Sequence, residues 1–493
     1  MSWKKEIEEI NDRRRLAREQ GGKESVEKHH AKGKLTARER IEQLLDTDSF
    51  KELGTIAGVA NHNETGSVDS YDPANYIIGI GRINSRNVAI GAEDFTLKGG
   101  SPNISGLRKS IYAEHFALNY KIPLIRLLEG GGGSVKKDAD ENDPKVWGDA
   151  LFGNPRFAII AEVMGKVPIV SAALGPVAGF PAGRLVSSHF SVMTKETAQV
   201  MVAGPAVVKR ALGIDLTKAE LGGSAIHCRS GVVDNLAEDE ADAFKLMRDF
   251  LSYLPGSAWE KAPKLPSSDS VDRRDPSLNE LIPKNRKKSY DVYQILRSVF
   301  DRHSLFELSP LYGPGLVIGL ARMNGQPIGF AANNCNHNAG AMTAEAAQKM
   351  RRLIELCDTF HLPIINFVDE PGFMIGLEAE ELGTIRYGMA AVSAAAQASV
   401  PWASVRIRKS FGVASAAHFG PNSYILDWPS VESGALPVEG GVAVAFHRQI
   451  NSADNPELMR QKLERELLES QSPFTAAESF SSHDIIDPAL TRA

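Results

Sequence analysis

The chain has 493 residues, of which 43% are hydrophobic and 24% are charged, and its formal net charge is −5. This length exceeds that of one ordinary hydrophobic core, so two or more domains are expected. The composition is that of a globular protein, and the slight negative charge excludes the strongly basic proteins that bind nucleic acid or membrane surfaces.

The signals for cellular location make the cytoplasm the expected compartment, with a processed organellar chain as the alternative. The first twenty residues lack the apolar segment of a signal peptide and contain many acidic residues, unlike a transit peptide. The longest apolar stretch, residues 158–180, is interrupted by charged residues and prolines, which predicts a buried helix and strand and no membrane span. Three scattered cysteines provide no disulfide framework and fit a reducing compartment.

Strands and helices are predicted to alternate along the chain. Residues 75–83 and 87–94 are short, β-branched and bounded by turn residues, as strands are. Residues 104–120 have apolar side chains at helical spacing. Residues 122–129 and 167–174 are apolar runs, each introduced by a proline, and are predicted to be buried strands. This alternation, with glycine-rich turns between the elements, predicts an α/β layered fold.

The second half of the chain repeats the first. Residues 76–101 match residues 316–341 without a gap, and the same offset continues into the glycine-rich turns at 130–133 and 370–373. A further match, between residues 167–179 and 400–412, needs a small change of offset. The matching pairs are Gly79 with Gly319, Arg82 with Arg322, Asn84 with Asn324, Gly100 with Gly340, Pro123 with Pro363, and Gly132 with Gly372.

Two homologous domains are therefore predicted. Residues 261–289 are rich in proline, serine and charge, which is the composition of a linker. The predicted N-terminal domain is 1–260 and the predicted C-terminal domain is 290–493.

Glycine-rich or small-residue turns follow apolar strands at four places related by the repeat. A turn that leads into a helix N-terminus offers unpaired N–H donors and the positive end of the helix dipole. Two such donors aimed at one point stabilise an oxyanion. The simpler interpretation of any single turn is that glycine permits a tight bend. The turns are Gly130–Gly133, Pro176–Gly183, Glu370–Phe373 and Lys409–Ala416.

The sequence gives less support to a linker, a nucleotide-binding loop, a metal site or a serine nucleophile. Gly130–Gly133 lies inside a repeat, which disfavours an interdomain linker, and the G-K-[ST] ending of a triphosphate loop is missing. No cysteine and histidine pattern has zinc spacing, so no metal is predicted. No serine lies in a G-x-S-x-G turn. Two backbone-donor sites without a side-chain catalyst are what enolate chemistry on a thioester needs if another group removes the proton.

Seven sequence blocks occur in order along the chain and together resemble one family. They are "KGKLTARERIEQLLDTDSFKELG", "EDFTLKGGS", "VPIVSAALGPVAGFPAG", "VMVAGPAVVKRALGIDLTKAELGGSAIHCRSGVVD", "FVDEPGFMIG", "VPWASVRIRKSFG" and "DIIDPALTRA". From about Arg13 to Ala493 the chain resembles the carboxyltransferase (β) subunits of biotin-dependent acyl-CoA carboxylases. "HCRSGV" and "GFMIG" are more similar to the methylcrotonyl- and geranyl-CoA branch than to the propionyl branch.

The resemblance implies two tandem crotonase-like domains of the ClpP/crotonase superfamily, each a ββα superhelix. It further implies a hexamer built as a trimer of dimers, with the N-terminal domain of one subunit facing the C-terminal domain of its dimer partner. Coenzyme A would bind the first domain and biotin the second. The carboxyl group would move from carboxybiotin to the α or γ carbon of an acyl-CoA, with the biotin ureido oxygen removing the acyl-CoA proton. No biotin-carrier or ATP-binding carboxylase segment is present, so a biotin carboxylase and biotin carrier subunit would be the partner.

Matching the family position by position assigns the site residues. The acyl-CoA oxyanion hole would use Gly179 and Phe180, and the biotin oxyanion hole would use Val413 and Ala414. Lys98, Arg108 and Lys109 flank a glycine turn and a helix and are candidates to pair with coenzyme A phosphates, although solvated surface charge is the favoured explanation of such residues. The remaining candidate substrate-binding residues are Gly131, Gly132, Gly372, Phe373 and Ala416.

Several of these positions depart from the family pattern. Gly133 stands where arginine is common, and Phe180-Pro181 and Val413 replace small residues. Ala416 stands where an aspartate often shapes the acyl pocket. These departures leave three alternatives open: a biotin-dependent acyl-CoA decarboxylase subunit, a non-catalytic assembly subunit, and a hydratase or thioesterase of the crotonase type. The last is the weakest, because no acidic residue is fixed at the glycine turns.

Overall fold

The computed structural model describes residues 2–64, 66, 68–101, 103–132 and 155–493. The chain divides into two units, Met1–Glu260 and Lys261–Ala493. Among the described residues, each unit contains one mixed β-sheet of eight strands. The predicted boundary near residue 260 lies at the division between the units.

The first unit contains ten strands and ten α-helices among its described residues. The strands are β1 Lys51–Leu53, β2 Gly58–His62, β3 Val68–Pro73, β4 Tyr76–Ile83, β5 Arg86–Glu93, β6 Leu124–Gly130, β7 Ile169–Ala178, β8 Phe190–Thr194, β9 Gln199–Met201 and β10 Asn235–Ala237. The helices are α1 Lys4–Arg18, α2 Lys23–His30, α3 Ala37–Leu44, α4 Ile104–Tyr120, α5 Pro155–Met164, α6 Phe180–Val186, α7 Pro205–Leu212, α8 Lys218–Gly222, α9 Ser224–His227 and α10 Glu240–Ser252.

The second unit, described throughout 261–493, contains eight strands and nine α-helices. The strands are β11 Phe306–Leu308, β12 Leu316–Met323, β13 Gln326–Asn333, β14 Ile364–Glu370, β15 Trp402–Phe411, β16 Tyr424–Asp427, β17 Glu432–Gly434 and β18 Asp484–Ile485. The helices are α11 Leu278–Leu281, α12 Val292–Val299, α13 Ala344–Phe360, α14 Leu377–Glu381, α15 Thr384–Gln397, α16 Val438–Ala445, α17 His447–Asn451, α18 Pro456–Ser470 and α19 Pro473–Glu478.

The two sheets have the same topology. The first has the order β1-β4-β5-β6-β7-β8-β10 with β9 also on β7, and the second has β11-β12-β13-β14-β15-β16-β18 with β17 also on β15. In each sheet the first two strand pairs are antiparallel and all later pairs are parallel. The α/β fold and the internal repeat predicted from the sequence are both present.

Each hairpin is followed by a helix of the same length in both units. Helices α4 and α13 have seventeen residues each, and a side chain caps both N-termini: Asn103 accepts from Gly106 N, and Thr343 accepts from Ala346 N. Each helix ends at a residue with positive φ, Lys121 in one and His361 in the other. The ββα order of strand, strand and helix is therefore reproduced, including both helix ends.

Apolar side chains hold each helix to its sheet. In the first unit, Ala113, Phe116 and Ala117 of α4 pack with apolar residues of β4, β5 and β7. The second unit has a larger aromatic core, in which Phe330, Phe367 and Trp428 are fully buried. Burial of apolar area is the main favourable term in the folding of both units.

The pairing of the central parallel strands is interrupted at the same point in both sheets. Between β6 and β7 the register shifts between Leu128 and Gly130, and between β14 and β15 it shifts between Val368 and Glu370. Such a shift bends the strand and re-aims its last residues. The strand ends that carry the glycine-rich turns are thus displaced from the regular sheet.

Residues 261–289, predicted to be a linker, belong to the second unit and pack on the rest of it. Leu265 N donates to Gly325 O at 3.0 Å, and Arg322 donates to Pro263 O at 3.1 Å. Leu278 is buried in the main core of the unit. Gly325 lies in the hairpin turn between β12 and β13 with φ of 75°, and Leu265 O passes so close that a Cβ on Gly325 would lie 1.7 Å from it.

Gly325→Ala should therefore lower the free energy of unfolding by about 3 kcal/mol or more, because it adds a backbone clash to the cost of positive φ. Gly383→Ala is the matched control: Gly383 has φ of 70°, and its nearest atom to a new Cβ is 3.9 Å away. That variant should lose only about 1 kcal/mol. Urea unfolding of both variants tests this, and equal losses would show that the contact with Leu265 is unimportant.

Candidate active site

The glycine-rich turns of the first unit meet at the ends of β6 and β7. Gly132 has φ of 74°, and a Cβ there would lie 3.1 Å from Ala178 O and 3.6 Å from Gly179 Cα. Gly179 has φ of 65° and is the N-cap residue of α6, whose first residue is Phe180. The structure therefore places Gly132 against Gly179, and Gly131 and Phe180 are their neighbours in the chain. Gly133 lies outside the described residues.

A second close approach supports the turn from its other side. Residues Lys98–Gly100 form a short 3-10 turn in which Gly100 has φ of 72°. A Cβ on Gly100 would lie 2.6 Å from Glu129 O and 2.8 Å from Gly130 Cα. A Cβ on Gly131 would lie 3.6 Å from Gly99 O. Glycine at position 100 is thus needed for both its conformation and the space that it leaves.

The three candidate cations differ in exposure. Lys98 and Arg108 are exposed, and Lys98 belongs to the turn that packs on the glycines. Lys109 is buried and donates to Gly54 O at 3.2 Å. Burial lowers the pKa of Lys109 to about 8, with Glu52 acting in the opposite direction. Lys98 and Arg108 therefore present charge to solvent, whereas Lys109 holds the loop after β1.

Phe180 lies beside the turn in a recess that is also lined by the polar residues Ser110, Glu114 and Arg184. Its ring meets the ring of Phe157 edge-on, with centroids 5.8 Å apart. Ile111, Ile159 and Ile160 lie around the same recess. Pro181 follows at the second helical position and has no N–H. Phe180 and Pro181, which replace the small residues of the family pattern, therefore add apolar side chains at the start of α6.

In the second unit, the turn after β15 repeats the geometry of the turn after β7. Gly412 has φ of 63° and precedes a short 3-10 helix, Val413–His418. Ala414 is fully buried, whereas Val413 and Ala416 are exposed. Ser415 donates its hydroxyl to Gly412 O at 2.9 Å. Apart from Val413, the segment from Gly412 to Ala416 therefore carries only small side chains.

The partner turn after β14 is built differently from the Gly131–Gly132 turn. Gly372 has φ of 125°, and a Cβ there would meet no atom within 4 Å. Its N–H donates to Glu370 Oε1 at 3.0 Å. Phe373 turns its ring over Gly388, where a Cβ would lie 2.2 Å from the ring. Gly372 and Phe373 are thus not packed on Gly412 in the way that Gly132 is packed on Gly179.

Buried charges surround the first glycine turn, and sequence analysis did not identify them. Glu129 is fully buried, and its carboxylate pairs with Lys34, with Arg40 at 2.8 Å and with His29 at 3.5 Å. Burial lowers the pKa of Lys34 and lowers that of His29 to about 4. Room for the Glu129 side chain comes from Gly175, where a Cβ would lie 2.3 Å from it. The only signal in the sequence was a charged residue ending an apolar run.

A second group of buried charges adjoins the first. Arg126 and Arg184 both contact the Glu114 carboxylate, at 2.6 and 3.2 Å, and Arg184 also donates to the Tyr76 hydroxyl at 2.6 Å. Glu93 ends β5 and accepts from Glu129 N at 2.9 Å. The first turn is therefore held by a continuous set of buried ionic and polar contacts.

The second unit fixes the equivalent strand end with other partners. Asp369 pairs with Arg408 at 2.8 Å and accepts from the Tyr290 hydroxyl at 3.0 Å. Glu370 accepts from Gly372 N and lies 3.3 Å from His418 Nε2. These contacts position the turn without placing a carboxylate directly on Gly412 among the described contacts.

In the part of the chain that the structure describes, no group of three or more histidine, cysteine, aspartate or glutamate residues is placed to hold a metal ion. Each helix that the structure describes is too short or too polar to cross a bilayer.

Comparison with known proteins agrees with this architecture. Residues 28–493 match the carboxyl transferase domain family. The chain is 32% identical to the propionyl-CoA carboxylase carboxyltransferase subunit of Haloferax mediterranei, covering 100% of this chain and 95% of that protein. It is 31% identical to the methylmalonyl-CoA decarboxylase subunit alpha of Veillonella parvula, covering 99% and 93%. These relatives are of propionyl and methylmalonyl type, unlike the methylcrotonyl and geranyl branch that two motifs favoured.

A solved structure extends the likeness to three dimensions. The crystal structure of the transcarboxylase 12S hexamer, with methylmalonyl-coenzyme A and methylmalonic acid bound, superposes with a TM-score of 0.88. It is 29% identical, and the match covers 100% of this chain and 94% of that one. The chain therefore belongs to the carboxyl transferase family, as a carboxyltransferase subunit of the biotin-dependent acyl-CoA carboxylase type with two tandem crotonase-like domains.

Proposed function

We propose that this chain transfers a carboxyl group from carboxybiotin, carried on a partner subunit, to the α or γ carbon of an acyl-CoA. The observation that carries the proposal is the contact of Gly132 with Ala178 and Gly179. Backbone without side chains at this point lets a thioester carbonyl reach the first N–H groups of α6. The bound methylmalonyl-coenzyme A of the structural relative supports a thioester ligand.

The backbone N–H groups of Gly179 and Phe180 would stabilise the oxygen of the acyl enolate. Such donors act on charge that develops during the reaction, and removal of one costs roughly 3–4 kcal/mol. Pro181 cannot donate, so the hole depends on the two residues before it. Gly131 and Gly132 line the hole, and the Phe180 ring bounds the acyl group.

The second unit has a turn that suits biotin. Gly412 adopts positive φ and is exposed, and Ala414 and Ala416 have small side chains, so this turn suits a flat ureido ring. Val413 and Ala414 would donate N–H groups to the ureido oxygen, and Gly372 and Phe373 remain candidate biotin contacts from the turn after β14. Biotin, when bound, supplies the carboxyl group and the base that takes the acyl-CoA proton.

The proposal includes the assembly and the partner. We assign a biotin carboxylase and biotin carrier subunit as the partner, and a hexamer formed as a trimer of dimers. The hexamer assembly named for the transcarboxylase 12S structure supports this oligomeric state. A cytoplasmic location is part of the proposal, and the free, buried state of Cys228, Cys335 and Cys357 supports it.

A second candidate function, decarboxylation of an acyl-CoA, is also supported by a comparison. The similarity to a methylmalonyl-CoA decarboxylase subunit supports transfer in the opposite direction, from an acyl-CoA onto biotin. The same two turns would serve both directions, since a catalyst stabilises one transition state for both. The direction in the cell then depends on the partner subunits.

Transfer itself can be measured with labelled carboxybiotin on a partner protein and a panel of acyl-CoAs. We expect label to appear in at least one acyl-CoA, and we expect that product to return label to biotin. Transfer only from acyl-CoA to biotin would favour the decarboxylase. Failure in both directions with every acyl-CoA would contradict the enzymatic proposal and favour a non-catalytic assembly subunit.

Gly132→Ala should reduce transfer by about 100-fold, because a Cβ placed 3.1 Å from Ala178 O would push the turn away from Gly179. Gly213→Ala is the control, since Gly213 has nearly the same φ, 73°, and no atom within 4 Å of a new Cβ. Steady-state rates of the folded variants test this difference. Equal rates in the two variants would show that the close approach does not shape the hole.

Lys98→Ala and Arg108→Ala should each raise the KM for an acyl-CoA by about two- to fivefold, because each exposed cation contributes up to about 1 kcal/mol to an ion pair. The value of kcat should stay unchanged. The matched measurement uses the corresponding acyl-pantetheine, which lacks the nucleotide phosphates. If KM rises equally for both thioesters, the two cations do not bind those phosphates.

A further inference from the structure

Glu93 occupies an unusual position for a carboxyl group. It is the last residue of β5, is almost fully buried, and accepts a hydrogen bond from Glu129 N at 2.9 Å. A Cβ on Gly130 would lie 2.9 Å from the same oxygen, Oε2. The carboxyl group therefore packs directly on the first glycine of the acyl-CoA turn.

The internal repeat shows what this position requires. Asn333 ends β13 at the matching place, and its Oδ1 accepts from Asp369 N at 3.0 Å. Glu93 and Asn333 thus perform the same task for the strand end that precedes each turn. Since a neutral amide suffices in the second unit, the task needs an acceptor oxygen and does not need a negative charge.

The groups that face Glu93 do not fully compensate a negative charge on its carboxyl group. Arg184 of α6 lies 4.0 Å from Oε1, but it is shared with Glu114 of α4 and with the hydroxyl of Tyr76 on β4. The Glu129 carboxylate on β6 adds a second negative charge nearby.

Other cations lie beyond Glu129. Lys34 and Arg40 pair with its carboxylate and not with Glu93 among the described ion pairs. His29 also lies 3.5 Å from the Glu129 carboxylate, but its pKa of about 4 keeps the ring neutral near pH 7. Burial raises the pKa of Glu93 to about 7, while Arg184 and the hydrogen bond from Glu129 N act to lower it. Glu93 can therefore change its charge near neutral pH.

The charge of Glu93 has a consequence for the reaction proposed above. An acyl enolate held at Gly179 and Phe180 would carry negative charge beside the turn on which Glu93 packs. Two like charges in a site of low dielectric repel one another. A protonated Glu93 keeps an oxygen to accept from Glu129 N and removes this repulsion.

We propose that Glu93 is a positioning residue for the acyl-CoA turn and that its carboxyl group is neutral while the acyl enolate forms. This inference rests on the proposed function of the Gly179 turn. It assigns Glu93 two separable tasks, since the acceptor oxygen holds the turn and the proton sets the charge.

The test compares Glu93→Gln with the parent protein, both with the partner subunit, from pH 6 to pH 9. The ratio of their kcat values cancels every titration that the two proteins share. We expect this ratio, variant over parent, to rise by at least about threefold across the range, because only the parent acquires the charge. Glu238→Gln, at an exposed glutamate paired with Lys195, should give a constant ratio.

Glu93→Ala separates the two tasks. It leaves the buried Glu129 N–H without its acceptor, so transfer should fall by about tenfold or more at every pH. Rescue by glutamine but not by alanine would identify the acceptor oxygen as the positioning group. Equal activity of the alanine and glutamine variants would overturn the positioning role.

A second readout does not depend on activity. Ionisation of a carboxyl whose folded-state pKa lies above its usual value removes stability as pH rises. The melting temperature of Glu93→Gln minus that of the parent should widen from pH 5 to about pH 7 and then stay level. A constant difference would overturn the inference, because Glu93 would then not titrate in this range.

The outcomes separate this inference from the proposed function. Measurable transfer with a constant kcat ratio would overturn the inference about Glu93 alone. Absence of transfer by the parent at every pH would overturn the proposed function, and the inference with it.

Discussion

Close approach of backbone to backbone is the constraint on which the site of the first unit depends. Gly100 passes against the carbonyl of Glu129, and Gly132 passes against Ala178 and Gly179. Any side chain at Gly100 or Gly132 would separate chain segments that now touch. The register shift at the end of β6 makes this approach possible, because it turns the strand end out of the regular sheet.

The two units stabilise equivalent strand ends with different pairs of buried charged residues. In the first, the buried Glu129 carboxylate meets Lys34 and Arg40, which lie almost a hundred residues earlier in the chain. In the second, Asp369 meets Arg408 of the neighbouring strand. Buried charges are costly unless they are paired, so each strand end had to acquire its own partners. The shared topology therefore does not require shared side chains.

The repeat explains how much of the fold the sequence predicts. Matching glycines such as Gly100 and Gly340 require the same positive φ in both halves, so they remain visible as a constant offset. The partners of Glu129 follow no such periodicity, because they come from distant segments that only the folded chain brings together. Lys109 lies close to Lys98 and Arg108 in the sequence, so the sequence alone gives all three the same candidate role. The burial of Lys109, however, depends on which face of α4 meets the loop after β1. The openness around Gly372 has no sequence signal either.

The change of offset between the halves marks where they diverged. Matching residues lie 240 positions apart as far as the ends of β6 and β14, but Gly179 and Gly412 lie 233 apart. Seven residues were thus gained or lost in one connection, while the strands on either side kept their pairing. That connection is therefore the place where the chain accommodates a change of length without a change of strand pairing in either sheet. The two halves can thus differ around their glycine-rich turns while keeping the same strand order.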